Sequence, residues 1–276
     1  MAVPNVEDLS IEILNKMQNN IIYSRQDIVN EQRRILLISK AEESKFQFVI
    51  GFAINRLCNL GMIKRINRGE YIITDLGIEQ LRRDIEELRK RLVKYTRNVK
   101  KNRIIAYEIF KNSNEKFLKE EKENIKRNVS EENICQNLAN YLRDTMKEMK
   151  IEGYYADTEF DRNADMIKAI IDDQMKIIKI KCDLIVHSRG ENKQQDNLIA
   201  IEMKKSTNRK KRKEDRERLQ YMTRNSYYNE ITYEELPRYI CRYTIGIFYD
   251  INIKKQQVNL EYYEDGKLCK KEILEY

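Results

Sequence analysis

Between Phe46 and Thr74 the chain changes its hydrophobic period, and that change limits what the first 80 residues can become. Phe46, Val49, Ile50, Phe52, Ala53, Leu57 and Leu60 recur at the spacing of one helix face, and Gly61 follows as a C-terminal cap. Met62, Ile63, Arg65 and Ile66 then lead to a turn at Asn67 to Gly69, after which Tyr71, Ile72, Ile73 and Thr74 read as the returning strand of a hairpin. Upstream, Val6, Leu9, Ile13, Leu14 and Met17 form an earlier helical stripe. Ser24 is an N-cap for a second helix that turns Ile28 inward. Three helices followed by a hairpin describe a winged helix-turn-helix over residues 1–80.

The run FAINRLCNLGMIKRINRGEYIITDLGIEQL, from Phe52 to Leu81, resembles the N-terminal winged-helix domain of Mrr-type restriction proteins in its Gly-hydrophobic turn, Arg-Gly wing and Ile-Thr-x-x-Gly exit. The resemblance implies binding of double-stranded DNA, with the third helix in the major groove and the wing on the backbone. Lys64, Arg65, Asn67 and Arg68 put donors on the wing where phosphates would lie, and Arg56 is a further candidate on the helix. The competing reading is a winged helix used for protein-protein contact.

Residues 81–101 form an intensely charged helical connector in which Leu81, Ile85, Leu88 and Leu92 make a short heptad seam. The seam either pairs with a second copy or packs on its own wing domain; the sequence leaves both open. Another charged stretch, Lys116 to Arg127, reads as a loop or helix surface. The 53 Lys and Arg against 45 Asp and Glu give a net charge of +8, which suits a polyanionic partner.

Five scattered cysteines without a Cys-x-x-Cys pair point to neither a disulfide framework nor a zinc knuckle. His187 is the sole histidine, which excludes two-histidine metal sites and disfavours a histidine-based nucleophile system. Carboxylate chemistry remains. Met1 to Asn5 lack the features of a signal peptide and no apolar run is long enough to cross a bilayer, so a cytoplasmic protein without membrane association is expected.

Residues 102–276 read as an α/β domain with a mixed sheet. Ser130 caps an amphipathic helix carrying Ile134, Leu138, Tyr141, Leu142, Met146 and Met149. Strands follow at Ile177 to Val186 and Leu198 to Met203, then a basic helix, then Tyr243 to Tyr249, Val258 to Tyr263 and Leu268 to Leu274. Asp183 stands at the head of the apolar run Leu184-Ile185-Val186. Glu202 and Lys204, two apart, stand at the end of another. A period of two puts the latter pair on one face, and hairpin pairing would bring Asp183 beside them. Two hard oxygen donors next to an ammonium suit phosphodiester hydrolysis, where a bound divalent cation activates water and the lysine offsets charge growing on phosphate. A structural ion pair among the same residues is the competing reading.

At these residues the chain resembles the PD-(D/E)xK nuclease superfamily: EFDRN from Glu159 to Asn163, CDLIVHSRG from Cys182 to Gly190, and NLIAIEMKKS from Asn197 to Ser206, with Asp215, Leu219 and Tyr243 to Gly246 beyond. The proline usual before the first Asp is Cys182 here. The resemblance implies a restriction-endonuclease-like fold and a nuclease using Mg²⁺, or Mn²⁺ in its place. Asp183, Glu202 and Lys204 would be catalytic, with Asp183, Glu202 and Glu159 on the metal. Lys205 and Arg209 would grip DNA, and the basic run Arg209 to Arg218 follows. A homodimer is expected because one such site cuts one strand, and restriction or anti-phage defence is the setting by family analogy alone. The alternative is a DNA-binding transcriptional regulator whose nuclease-like domain senses a ligand or partner.

Overall fold

The computed structural model describes residues 4–19, 21–39, 42–67, 69–83, 85–163, 166–167, 169–171, 177–192, 195–224 and 241–276. The chain forms two compact units that divide between Asn98 and Val99.

In the first unit, helix α1 (Val6–Lys16) starts at Asn5, whose side chain accepts the Asp8 N–H at 2.8 Å. A two-residue strand, β1 (Tyr23–Ser24), runs into α2 (Arg25–Leu36) through a capping box: the Ser24 hydroxyl accepts from the Asp27 N–H while the Asp27 carboxylate accepts from the Ser24 N–H, each at 3.0 Å. Ser24→Ala is therefore expected to lower the stability of this unit by about 1 kcal/mol, read from its urea midpoint. Helix α3 (Glu43–Asn59) closes with Gly61 in the left-handed region at φ 69°. The Gly61 and Met62 amides donate back to the carbonyls of Cys58 and Leu57, each at 2.9 Å, a Schellman closure that turns the chain into the sheet. Strands β2 (Ile63–Asn67) and β3 (Glu70–Ile73) form the hairpin, and β1 adds on the far side of β3 to give an antiparallel sheet ordered β1-β3-β2. Helix α4 (Asp75–Arg83) follows, then α5 (Ile85–Glu120), inside which the division between units falls.

The core of this unit contains Leu9, Leu14, Phe46, Ile50, Leu57, Tyr71 and Ile73 together with Leu88 and Leu92. Those two leucines are the inner positions of the heptad seam, and both are fully buried, so the seam packs within its own unit; Ile85 is left 47% exposed. The charged stretch expected as a separate connector is the end of α4 and the first part of α5. Two expected DNA contacts also turn inward. Arg56 is 6% exposed and donates to Glu7 at 2.9 Å. Arg65 is 9% exposed, donating its Nε–H to the Asn67 carbonyl and lying over the Tyr71 ring. Both guanidiniums sit on faces whose neighbouring positions are apolar, where the long side chain covers core and finds a local acceptor. Lys64 and Asn67 are exposed on the hairpin, and Arg68 lies outside the described residues.

The second unit builds two layers of helix around one sheet. Short α6 (Lys122–Lys126) and α7 (Glu131–Glu148) follow α5, with the Ser130 hydroxyl accepting the Asn133 N–H at 3.1 Å. After β4 (Tyr155–Thr158) come two small ladders, β5 (Arg162–Asn163) with β6 (Met166–Ile167) and β7 (Ala169–Ile171) with β8 (Ile177–Lys179). Then β9 (Leu184–His187), β10 (Asn197–Lys205), helix α8 (Arg212–Thr223), β11 (Ile245–Asn252), β12 (Gln257–Glu264) and β13 (Lys267–Glu275) complete a six-stranded sheet ordered β13-β12-β11-β10-β9-β4. Only the β10–β11 pair is parallel, and α8 lies in the crossover that such a pair requires. On one face, Phe110, Phe117, Ile134, Leu138 and Leu142 pack against Leu184, Val186, Ile199, Ile201, Ile247 and Tyr249. On the other, Leu219 and Met222 of α8 pack against Ile185, Ala200, Phe248 and Tyr263. Coverage on both faces explains why β9, β10 and β11 read as near-continuous apolar runs. No helix among the described residues is long and apolar enough to cross a membrane.

Candidate active site

The antiparallel register of β9 and β10 sets Leu184 opposite Ile201, so Asp183 arrives beside Glu202. Asp183 is locked there by the Met203 N–H, which donates to its Oδ2 at 2.7 Å. Along β10 the side chains alternate: Ile201 and Met203 enter the core beneath α7, while Ala200 and the polar pair Glu202 and Lys204 lie on the α8 side. Lys204 Nζ stands 3.8 Å from Asp183 Oδ2 and 3.4 Å from Asp215 Oδ2.

Helix α8 supplies the other half of the cluster. Asp215 and Arg218, three apart, share its inner face. Arg218 holds Glu202 with both arms of its guanidinium, Nε to Oε1 at 2.7 Å and Nη2 to Oε2 at 3.1 Å, and also bonds Asp215 Oδ1. Three carboxylates thus face two cations, leaving one negative charge in excess when all are ionised.

Glu202 is 0% exposed. Burial, joined by the nearby charge of Asp183 and opposed by Arg218, pushes its carboxyl up to about 8. Burial likewise raises Asp183 above its ordinary value, against the Met203 N–H and Lys204. Burial alone would lower Lys204, but Asp183 and Asp215 outweigh it and hold the ammonium charged.

Among the described residues there is no group of three or more His, Cys, Asp or Glu side chains placed to hold a metal ion. Asp183 and Glu202 nonetheless supply hard oxygen donors in a cluster that carries surplus negative charge once Glu202 is ionised. That is the donor chemistry of an ion such as Mg²⁺, which keeps much of its water and takes only one or two protein carboxylates. Glu159 is placed differently. Its backbone N–H donates to the Asp183 carbonyl at 3.1 Å, but its carboxylate is 59% exposed and pairs with Lys181 at 3.0 Å. Only its main chain reaches the site.

The surrounding residues divide between scaffold and surface. His187 is buried against the Phe160 ring and bonds Asp157 at 2.9 Å, and Arg189 clamps the same carboxylate at 2.9 and 2.7 Å. Cys182, in the position where the resemblance expects proline, is buried and donates its thiol to the Ile201 carbonyl at 3.2 Å. It therefore pins the head of β9 to β10. Lys205 reaches the Asn128 side chain at 2.8 Å and its carbonyl at 3.2 Å. Arg209, Lys210, Lys211 and Lys213 are exposed at the start of α8, while Arg212 is held by Asp250 at 2.6 Å. Arg218 is the residue that sequence reasoning passed over. It closes a run of charges with the look of a solvated helix, and only the orientation of α8 distinguishes it.

No protein-family model matches the chain, and neither does any curated protein or solved structure.

Proposed function

We propose that the chain is a metal-dependent endonuclease that hydrolyses DNA phosphodiester bonds, with a PD-(D/E)xK-like second unit brought to double-stranded DNA by a winged-helix first unit. The reading is carried by one observation: Asp183, Glu202 and Lys204 meet on adjacent strands in a buried cluster whose carboxylates outnumber its cations. A burial this costly has little value as scaffolding, because an apolar side chain in place of Glu202 would serve the core as well.

In this reading Asp183 and Glu202 present oxygens to a Mg²⁺ or Mn²⁺ ion, which supplies an acidified water and a polarised phosphoryl oxygen when bound. Lys204 keeps a charged ammonium 3.8 Å from Asp183, where it orients the attacking water or offsets charge growing on the phosphate. Arg218 has Asp215 as a second counter-ion, so Glu202 is not its sole partner. The exposed cations from Arg209 to Lys213 grip the nucleic-acid backbone. On the first unit, Lys64 and Asn67 line the exposed hairpin for phosphate contact. Restriction or anti-phage defence follows from resemblance alone.

The bidentate hold of Arg218 on Glu202 favours a second reading, a DNA-binding regulator in which the cluster is a sealed structural network. Both readings meet in one experiment: supercoiled plasmid, modified and unmodified, incubated with the protein and Mg²⁺, Mn²⁺ or EDTA. Nicking or cutting with either metal, abolished by EDTA, is the expected result. Tight metal-independent DNA binding without cleavage under any condition would overturn the nuclease reading in favour of the regulator.

A further inference from the structure

Strand β13 is an edge of the six-stranded sheet, nine residues long, with Leu268 42% and Ile273 64% exposed. A long edge with exposed aliphatic side chains is a template for another strand unless it is blunted, commonly by lysines. Here the charges do not repeat one sign. Lys267, Lys270 and Lys271 occupy the first part of the strand, and Glu272 and Glu275 the second.

We propose that β13 pairs antiparallel with β13 of a second copy of this chain, about a two-fold axis through Lys271, joining the two sheets into one. An antiparallel pair sets residues of like orientation opposite each other, so trial registers differ by steps of two. With the axis at Lys271, Lys270 faces Glu272, twice by symmetry, on the face opposite Lys271. Moving one step either way puts Lys270 on Lys270 or Glu272 on Glu272. The one like-charge meeting in the chosen register, Lys271 with itself, is relieved because each Lys271 already pairs with Glu261 at 3.4 Å. Cys269 is the extra residue where the β12 register shifts, which reverses the facing of Leu268 and Lys267, so Lys270 to Glu272 carries the pairing. An isologous interface of this kind needs a self-complementary surface, and sign reversal about a central residue supplies one. The association is independent of the nuclease reading, and its test has no catalytic readout.

Size-exclusion chromatography with light scattering, run on the full chain across a dilution series, should give a concentration-dependent species of twice the 33.3 kDa chain mass. Lys270→Glu creates two Glu-Glu contacts per dimer and should weaken association about tenfold or more. The charge swap Lys270→Glu with Glu272→Lys should restore it, which no general loss of solubility or fold would do. Ile273→Asp weakens the same interface without altering the ion pairs, and circular dichroism identifies variants that fold. A wild type that stays monomeric throughout overturns the proposal, as does a dimer indifferent to Lys270→Glu and Ile273→Asp, or a folded charge-swap variant that stays monomeric.

Discussion

Glu202→Gln is expected to abolish phosphodiester cleavage while making the second unit more stable at pH 8. The amide keeps the shape of the carboxylate and leaves an oxygen to accept from Arg218, and Asp215 still balances that guanidinium. It removes a carboxylate charge and one of the two oxygen ligands proposed for a cation, and loss of an electrostatic group of this kind costs roughly 10²–10³-fold in rate. The stability half follows from the titration. The buried Glu202 carboxyl stands near 8 against an ordinary 4.5. The folded state therefore binds the proton more tightly than the unfolded state. Its contribution to stability is complete below the ordinary value and is lost as pH rises toward 8. Glutamine carries no such dependence, so the two proteins diverge over that window, with the variant ahead by about 1–2 kcal/mol at the alkaline end. Urea denaturation at pH 5 and pH 8, beside plasmid cleavage, reads both halves. A variant that cuts like the wild type removes Glu202 from the chemistry, and one that is less stable at pH 8 shows that the Arg218 pair outweighs the desolvation.

Gly77→Ala should unfold the first unit or cost it about 3 kcal/mol, at the upper end of what overpacking does. A Cβ at this position would overlap the Met62 carbonyl oxygen and come within 2.8 Å of Ile73 Cγ1. The Met62 oxygen has no freedom to retreat, because it accepts the Thr74 N–H at 3.0 Å and the Thr74 hydroxyl lies 3.0 Å away. The same hydroxyl accepts the Gly77 N–H at 3.1 Å and donates to the Gly61 carbonyl at 2.6 Å, so the exit of β3, the start of α4 and the end of α3 meet at one knot. This is the physical content of Ile-Thr-x-x-Gly at Ile73 to Gly77. A separate early transition in thermal unfolding, together with loss of DNA binding, is the expected signature; an unchanged profile would mean that α4 has room to shift.

Local signals were legible because they are written in consecutive residues. Ser24 and Ser130 cap helices, Gly61 closes α3, and the hairpin from Ile63 to Ile73 forms, since each depends on side chains within a few positions. The juxtaposition of Asp183 with Glu202 was also readable, because strand alternation and a short connection leave few registers that bury both apolar faces. The heptad seam was not decided locally. Leu88 and Leu92 fit a partner helix or their own core equally well on paper, and burial in the latter is a property of the whole unit.

The sequence by itself determined a helical stripe turning into a hairpin, a mixed helix-and-sheet second half, and an acid pair with a lysine at the ends of apolar strands. Tertiary structure alone decided the charge partners. Arg56 and Arg65 turn to internal acceptors, Glu159 goes to Lys181, and Arg218 crosses from α8 to close on Glu202. Residue spacing fixes which face of an element a side chain leaves from. Which of several opposite charges it meets depends on how two elements distant in sequence are packed, and within a few ångströms that choice sets the electrostatics of the site.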